Sequence, residues 1–185
     1  MSEKVLDPSK VRAKKMMLLF GLLSITMTFA GLTSAYLVSK GRPDWLVDLE
    51  LPITFFYSTI LLLSSSITIH IAKLNLSKSR PKKTILRWLV ATLILGICFV
   101  FLQFISFKDL IEMGYFFAGA QSTITTSFIY VLTFLHATHL FAGIIVLSVL
   151  IYKTYLNKYQ INKLGFNLGV TFWHFLDVLW LYLFL

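Results

Sequence analysis

"MMLLFGLLSITMTFAGLTSAYLV", Met16 to Val38, runs for 23 residues without a charge. A helix that crosses the hydrocarbon layer of a bilayer needs about 20 mostly apolar residues, and this stretch has them. It is also longer than the ~7–15-residue apolar core of a secretory signal, so it reads as a retained helix. Four further stretches have the same character: about Leu51–Ala72, Ile85–Phe107 (with Arg87 near its start), Phe128–Tyr152 and Leu164–Leu185. The chain is 57% hydrophobic and 14% charged, with a mean hydropathy of +0.80. A soluble domain would carry about 25% charged residues. The expected fold is an all-α polytopic membrane bundle of five transmembrane helices. Residues 1–185 form one domain in this reading, with residues 1–15 as a basic tail.

The charges give the bundle a direction. Lys4, Lys10, Arg12, Lys14 and Lys15 precede the first span. Lys73, Lys78, Arg80, Lys82, Lys83 and Arg87 surround the second loop, and Lys153, Lys158 and Lys163 surround the fourth. That places fourteen of 17 basic residues on one side, leaving Lys40, Arg42 and Lys108 opposite. Asp44, Asp48, Glu50, Asp109 and Glu112 collect on that opposite side. The positive-inside rule then predicts a cytoplasmic N-terminus and an external C-terminus. A basic rim beside anionic lipid accounts for the net charge of +9 without nucleic acid. The one cysteine, Cys98, excludes an intrachain disulfide and reads as a small hydrophobe in a core.

Helices in lipid associate through small residues and interhelical hydrogen bonds. Gly21, Ser24, Thr28, Gly31 and Ala35 recur at spacings of three and four, which predicts a face that meets a partner helix closely. Leu22, Met27 and Leu37 lie opposite. Ser64, Ser65 and Ser66 of the second helix read as packing residues, with a bond to a backbone carbonyl one turn back or across to a neighbour as the other possibilities.

The polar residues at depth are His70, Gln103, Tyr130, His136, His139, His174 and Asp177. His136 and His139 are three apart, with Gly143 on the same face. His174 and Asp177 are again three apart, flanked by Trp173 and Trp180. An unpaired carboxylate in hydrocarbon costs several kcal/mol, so Asp177 must be paired, protonated or wetted. Two readings compete. In one, these groups form an interhelical network that fixes the fourth helix against the fifth. In the other, the histidines ligate haem or a metal, or relay protons. Zinc requires three or four ligands, and the histidine spacing supplies two. A b-type haem with axial histidines from facing helices, as in the membrane anchor of a respiratory dehydrogenase, remains the main alternative. A transporter would show two related halves, and the chain has no internal repeat.

The motifs resemble a known family. "YVLTFLHATHLFAG", Tyr130–Gly143, and "FWHFLDVLWLYLF", Phe172–Phe184, are similar to the two histidine-bearing helices of haem-copper oxidase subunit III. "LPITFFYSTILLLSSS", Leu51–Ser66, and "LGICFVFLQ", Leu95–Gln103, resemble two further helices of that family. The resemblance covers about residues 16–185 and implies a short five-helix form. It implies a non-redox subunit that packs on the catalytic subunit I and other oxidase subunits, binds structural phospholipid, and sustains proton uptake and turnover stability. Haem and copper would reside in those partners, with no catalytic, cofactor or metal residue in this chain. The implied location is the bacterial inner membrane. Two buried glutamates of the family are replaced here by Ile25 and Ser106, so roles tied to them do not carry over. Phe134 stands where the family has a glycine.

Overall fold

A computed structural model describes residues 7–46, 51–119, 122–157, 159 and 163–185. The calls on Lys4, Asp48, Glu50 and Lys158 fall outside them. Five helices carry the chain: α1 (Pro8–Val38), α2 (Ile53–Ser77), α3 (Lys82–Glu112), α4 (Ile124–Tyr155) and α5 (Leu164–Phe184). All five are long and apolar enough to cross a membrane, and no strand occurs among the described residues.

The helices outrun the apolar segments that announced them. α1 begins at Pro8, within the stretch expected to be a tail. Asp7 caps it by accepting a bond from the Ser9 amide at 3.0 Å, and Pro8 occupies the first turn, where its missing N–H costs nothing. Hydrogen bonding to the Ser9 side chain, and then to its amide, holds the Asp7 carboxyl below the usual carboxylate range. Lys10, Arg12, Lys14 and Lys15 therefore ride on the helix. α3 likewise continues five residues past Phe107, carrying Lys108 and Glu112 as an exposed pair at 3.4 Å. A charge ends a hydrocarbon span without ending a helix.

Left-handed backbone turns stop three helices. Ser79 (φ 52°), Gly114 (φ 84°) and Asn157 (φ 57°) follow α2, α3 and α4 respectively. After α2, the Ser79 amide bonds Leu76 O and the Arg80 amide bonds Asn75 O. After α3, Gly114 bonds Ile111 O and Tyr115 bonds Leu110 O. Both are the paired closure that satisfies the last carbonyls of a helix.

The buried positions repeat with alternating steps of three and four. In α3 they are Ile85, Leu89, Thr92, Gly96, Phe99, Gln103, Ser106 and Leu110. In α2 Phe55, Ser58, Leu62, Ser65, Ile69, Ala72 and Leu76 follow the same period. In α4 the series runs from Thr133 through His136, Leu140, Gly143, Leu147 and Leu150 to Thr154. A period of 3.5 keeps one narrow seam facing its neighbours along the whole length of a helix. α2, α3, α4 and α5 close into a ring, each packed against the next and α5 back against α2. Each ring contact joins antiparallel helices, because successive spans reverse direction.

α1 stands outside the ring and packs on α4 and α5. Its inward residues are Ile25, Phe29, Leu32 and Thr33, with Phe29 fully buried against Leu132 and Leu179. The small-residue face expected to meet a partner helix meets none of the described helices of this chain. Gly21, Ser24, Thr28, Gly31 and Ala35 are all exposed, and a Cβ added at Gly21 or Gly31 would meet nothing within 4 Å. The small residues trace one face of α1, but the bundle takes hold of the larger ones. Cys98 also points outward from α3, where the sequence reading had it in a core.

Candidate functional site

α2 is the hub of the polar structure. Toward α3 it makes three rungs: Thr54 Oγ1 donates to Asp109 Oδ2 at 3.0 Å, Gln103 Nε2 donates to Ser58 Oγ at 2.8 Å, and the Thr68 and Thr92 hydroxyls meet at 2.8 Å. Toward α5 it makes three more. Trp180 Nε1 donates to Thr59 Oγ1 at 2.9 Å, Trp173 Nε1 donates to Ser65 Oγ at 3.0 Å, and Ser66 Oγ meets His174 Nδ1 at 2.7 Å. The α3 set runs in the opposite sense to α2 at every step, and the α5 set does so from Thr59–Trp180 to the adjacent Ser65–Trp173 and Ser66–His174 pairs, as antiparallel neighbours require. The serine run, read as packing, thus reaches across to α5 at two consecutive positions.

Trp180 sits at the centre of the ring. Its indole lies 6.3 Å from the Phe55 ring of α2, 5.1 Å from Phe99 of α3 and 5.0 Å from His136 of α4. Aromatic groups in this range of centroid distances attract through their quadrupoles. One side chain of α5 therefore touches all three other helices of the ring.

The expected α4–α5 histidine network is not what the structure builds. His174 lies 3.9 Å from Asp177 Oδ2 on its own helix, beyond hydrogen-bond length, and its bonded partner is Ser66 of α2. The His70 ring stands 6.0 Å from His174, also on the α2 side. His136 is fully buried among aromatic rings, and among the described residues neither of its nitrogens has a hydrogen-bond partner. The same holds for both oxygens of the buried Asp177. His139 turns the other way, with Nδ1 2.8 Å from Leu135 O and its ring 5.6 Å from Phe29 of α1. Residues three apart on a helix share a face, yet here they meet different neighbours, because α4 is wedged between α3 and α1.

Tyr130 donates to Tyr115 O at 3.0 Å, tying α4 to the loop after α3. Gly143 does lie at a close approach: an added Cβ would stand 2.8 Å from Leu176 Cδ1. Gly96, not singled out as a packing residue, is tighter still at 2.7 Å from Trp173 Cη2. Phe134 points outward and is 68% exposed, so its bulk does not press on the bundle. No group of three or more His, Cys, Asp and Glu that could hold a metal ion occurs among the described residues.

The fold and these bonded seams define a class: a five-helix membrane protein with polar side chains bonded across its α2–α3 and α2–α5 seams. The chain matches the family model described as cytochrome c oxidase subunit III over residues 12–185, and it belongs to that family. It is 35% identical over 130 residues to cytochrome bo(3) ubiquinol oxidase subunit 3 of Buchnera aphidicola, covering 68% of this chain and 63% of that protein. It is 29% identical over 173 residues to cytochrome c oxidase subunit 3 of Thermostichus vulcanus, covering 90% and 82%. A third relative, cytochrome c oxidase subunit 3 of Bacillus sp. strain PS3, is 32% identical over 166 residues, covering 86% and 77%. The match to the Buchnera protein thus falls short of two thirds of its length. Membership of this family leaves the dehydrogenase-anchor alternative without support.

Proposed function

We propose that the chain is a non-redox subunit of a proton-translocating terminal oxidase, holding the assembly together around a haem- and copper-bearing subunit I. The observation that carries this reading is the engagement of the α5 motif. Trp173, His174 and Trp180 are each bonded to a hydroxyl of α2, which makes the motif a lock between helices. The relatives include both ubiquinol and cytochrome c oxidases, which supports a role shared whatever the electron donor. In this reading the protein lies in the bacterial inner membrane with its N-terminus in the cytoplasm, as the charge asymmetry favours. The face of Gly21, Ser24, Thr28, Gly31 and Ala35, which none of the described residues covers, is offered to a neighbouring subunit. Structural phospholipid fills the remaining perimeter.

Asp177 separates a structural role from a proton-relay role. In the structural reading, Asp177→Leu disturbs the His174–Ser66 seam by roughly one interhelical polar coupling, about 0.6 kcal/mol on average in membranes. The expected result is partial loss of the subunit from the purified oxidase and faster inactivation during turnover. Initial turnover and the haem spectrum of the complex stay normal. Asp177→Asn should be milder, because the amide keeps the shape and the polarity of the side chain. Full subunit occupancy with an initial rate cut about tenfold would overturn the structural reading in favour of the relay.

A further inference from the structure

α5 has 21 residues, about 31 Å at ~1.5 Å per residue, which matches the ~30 Å hydrocarbon layer of a bilayer. His174 is near the centre of that helix, so it stands at the level of the midplane. Its 2.7 Å contact with Ser66 brings that residue of α2 to the same level. His70 follows Ser66 by one helical turn, about 6 Å along α2.

The bundle encloses neither ring. His70 is exposed and makes no hydrogen bond among the described residues; its neighbour is the His174 ring at 6.0 Å. The His174 side chain is 32% exposed. Ile67 and Leu74 flank His70 at steps of three and four along α2, and Thr171 and Val178 flank His174 in the same way along α5. All four are exposed, so the two histidines lie within one outward face of the α2–α5 seam.

An ionisable side chain inside a membrane normally turns to the bundle interior or to a water-filled cavity and pairs there. His70 faces outward instead. Lipid does not supply its partner. Headgroups begin about 15 Å from the midplane, and an imidazole is too short to cross the remaining ~9 Å. Acyl chains at the depth of His70 carry no polar atom. The group that pairs with it must therefore come from protein.

The charge of the face says which group. Lys73 lies one turn beyond His70, half-buried and in no ion pair among the described residues. α2 contains no Asp or Glu. The one carboxylate of α5, Asp177, is buried. This face thus offers basic groups outward and no acid.

We propose that the outward face of the α2–α5 seam is covered by a transmembrane helix of a partner subunit, which sets an Asp or Glu against His70 and His174. The imidazole N–H donates to that carboxylate, a charge-assisted bond that lipid shields from water. This surface is distinct from the small-residue face of α1. The proposal rests on the reading of the chain as an oxidase subunit.

The test is photocrosslinking in the assembled oxidase in its native membrane. p-Benzoylphenylalanine is placed at Ile67 or Val178, or at Ile97 on the exposed side of α3 as a control, and the crosslinked peptides are sequenced by mass spectrometry. The Ile67 and Val178 probes are expected to reach the same apolar helix of another subunit, within about two turns of an Asp or Glu. The Ile97 probe is expected to miss that helix. In parallel, His70→Leu should leave the melting temperature of the isolated chain unchanged, because no bond within the chain is lost. It should lower the subunit's occupancy in the purified oxidase about threefold, the size of an average interhelical polar coupling in membranes. His70→Gln keeps a donor and should retain most of the occupancy. Capture of lipid alone, of a second copy of this chain, or of a helix without a carboxylate would overturn the proposal. Full occupancy of His70→Leu would overturn it too. All of these outcomes leave the wild-type complex intact, whereas a wild-type chain that copurifies with no other subunit would sink the oxidase reading and the proposal with it.

Discussion

Gly96 of α3 has no room for a methyl group. An added Cβ would lie 2.7 Å from Trp173 Cη2, and that indole is held in place by its bond to Ser65. Gly143 is nearly as tight, at 2.8 Å from Leu176 Cδ1, but the obstacle there is the end of a flexible side chain. Overpacking a well-ordered contact costs ~1–3 kcal/mol, and the cost falls where the neighbour can move. Gly96→Ala should therefore lower the melting temperature of the purified chain clearly more than Gly143→Ala, a comparison that detergent thermal-shift assays resolve. Trp180→Phe should likewise cost about 1 kcal/mol, since it keeps the ring contacts but removes the hydrogen bond that the indole N–H gives to Thr59 Oγ1. Sequence reading found most of these polar residues but not their partners. The spacing of His174 and Asp177 places both on one turn of α5 whichever helix stands opposite. Only the ring closure of α5 onto α2 decides that Ser66, and not His136, is the neighbour. Gly96 escaped for a related reason, because what crowds it is an indole 77 residues further along the chain.

At the level of the element, α1 shows how far helix periodicity can be trusted. Its small residues do line one face, as their spacing implies, yet the chain buries the face that bears Ile25, Phe29 and Leu32. Lipid is as apolar as leucine, so a large apolar residue gains nothing by leaving it except close packing. Either face can be chosen, and the sequence of α1 alone does not decide. Two substitutions distinguish the faces. Phe29→Ala should destabilise the isolated chain by about 2 kcal/mol, taking ~24 cal/mol per Å³ for a cavity of roughly 80–100 Å³ and no transfer term in lipid. Gly31→Leu should leave the isolated chain's melting temperature unchanged, since its new side chain meets no neighbour. If that face serves a partner subunit, Gly31→Leu should still lower the yield of assembled complex. A drop in the melting temperature of the isolated Gly31→Leu chain would contradict the placement of α1. The other four helices were more legible in extent than in contact. Their 3.5-residue seams are interrupted by Thr92, Gly96, Gln103 and Ser106 in α3 and by serines in α2, so an apolar pattern alone does not display them.

For the whole molecule, five apolar segments announced five helices, and the charges between them announced the ends. The lengths were underestimated because α1 and α3 run on through charged turns that no longer sit in hydrocarbon. The proposed direction in the membrane has its own test. In inside-out vesicles, a membrane-impermeant amine reagent should label Lys83 and Lys153 and spare Lys40; the reverse pattern would invert the bundle. The central claim is that this chain serves an oxidase by holding its helices and its partners in place, without a redox centre of its own. The most direct measurement is the optical spectrum of the purified chain beside that of the complex with which it copurifies. The expected result is a complex with haem absorption and an isolated chain with no Soret band, while a stoichiometric Soret band on the isolated chain would contradict the account.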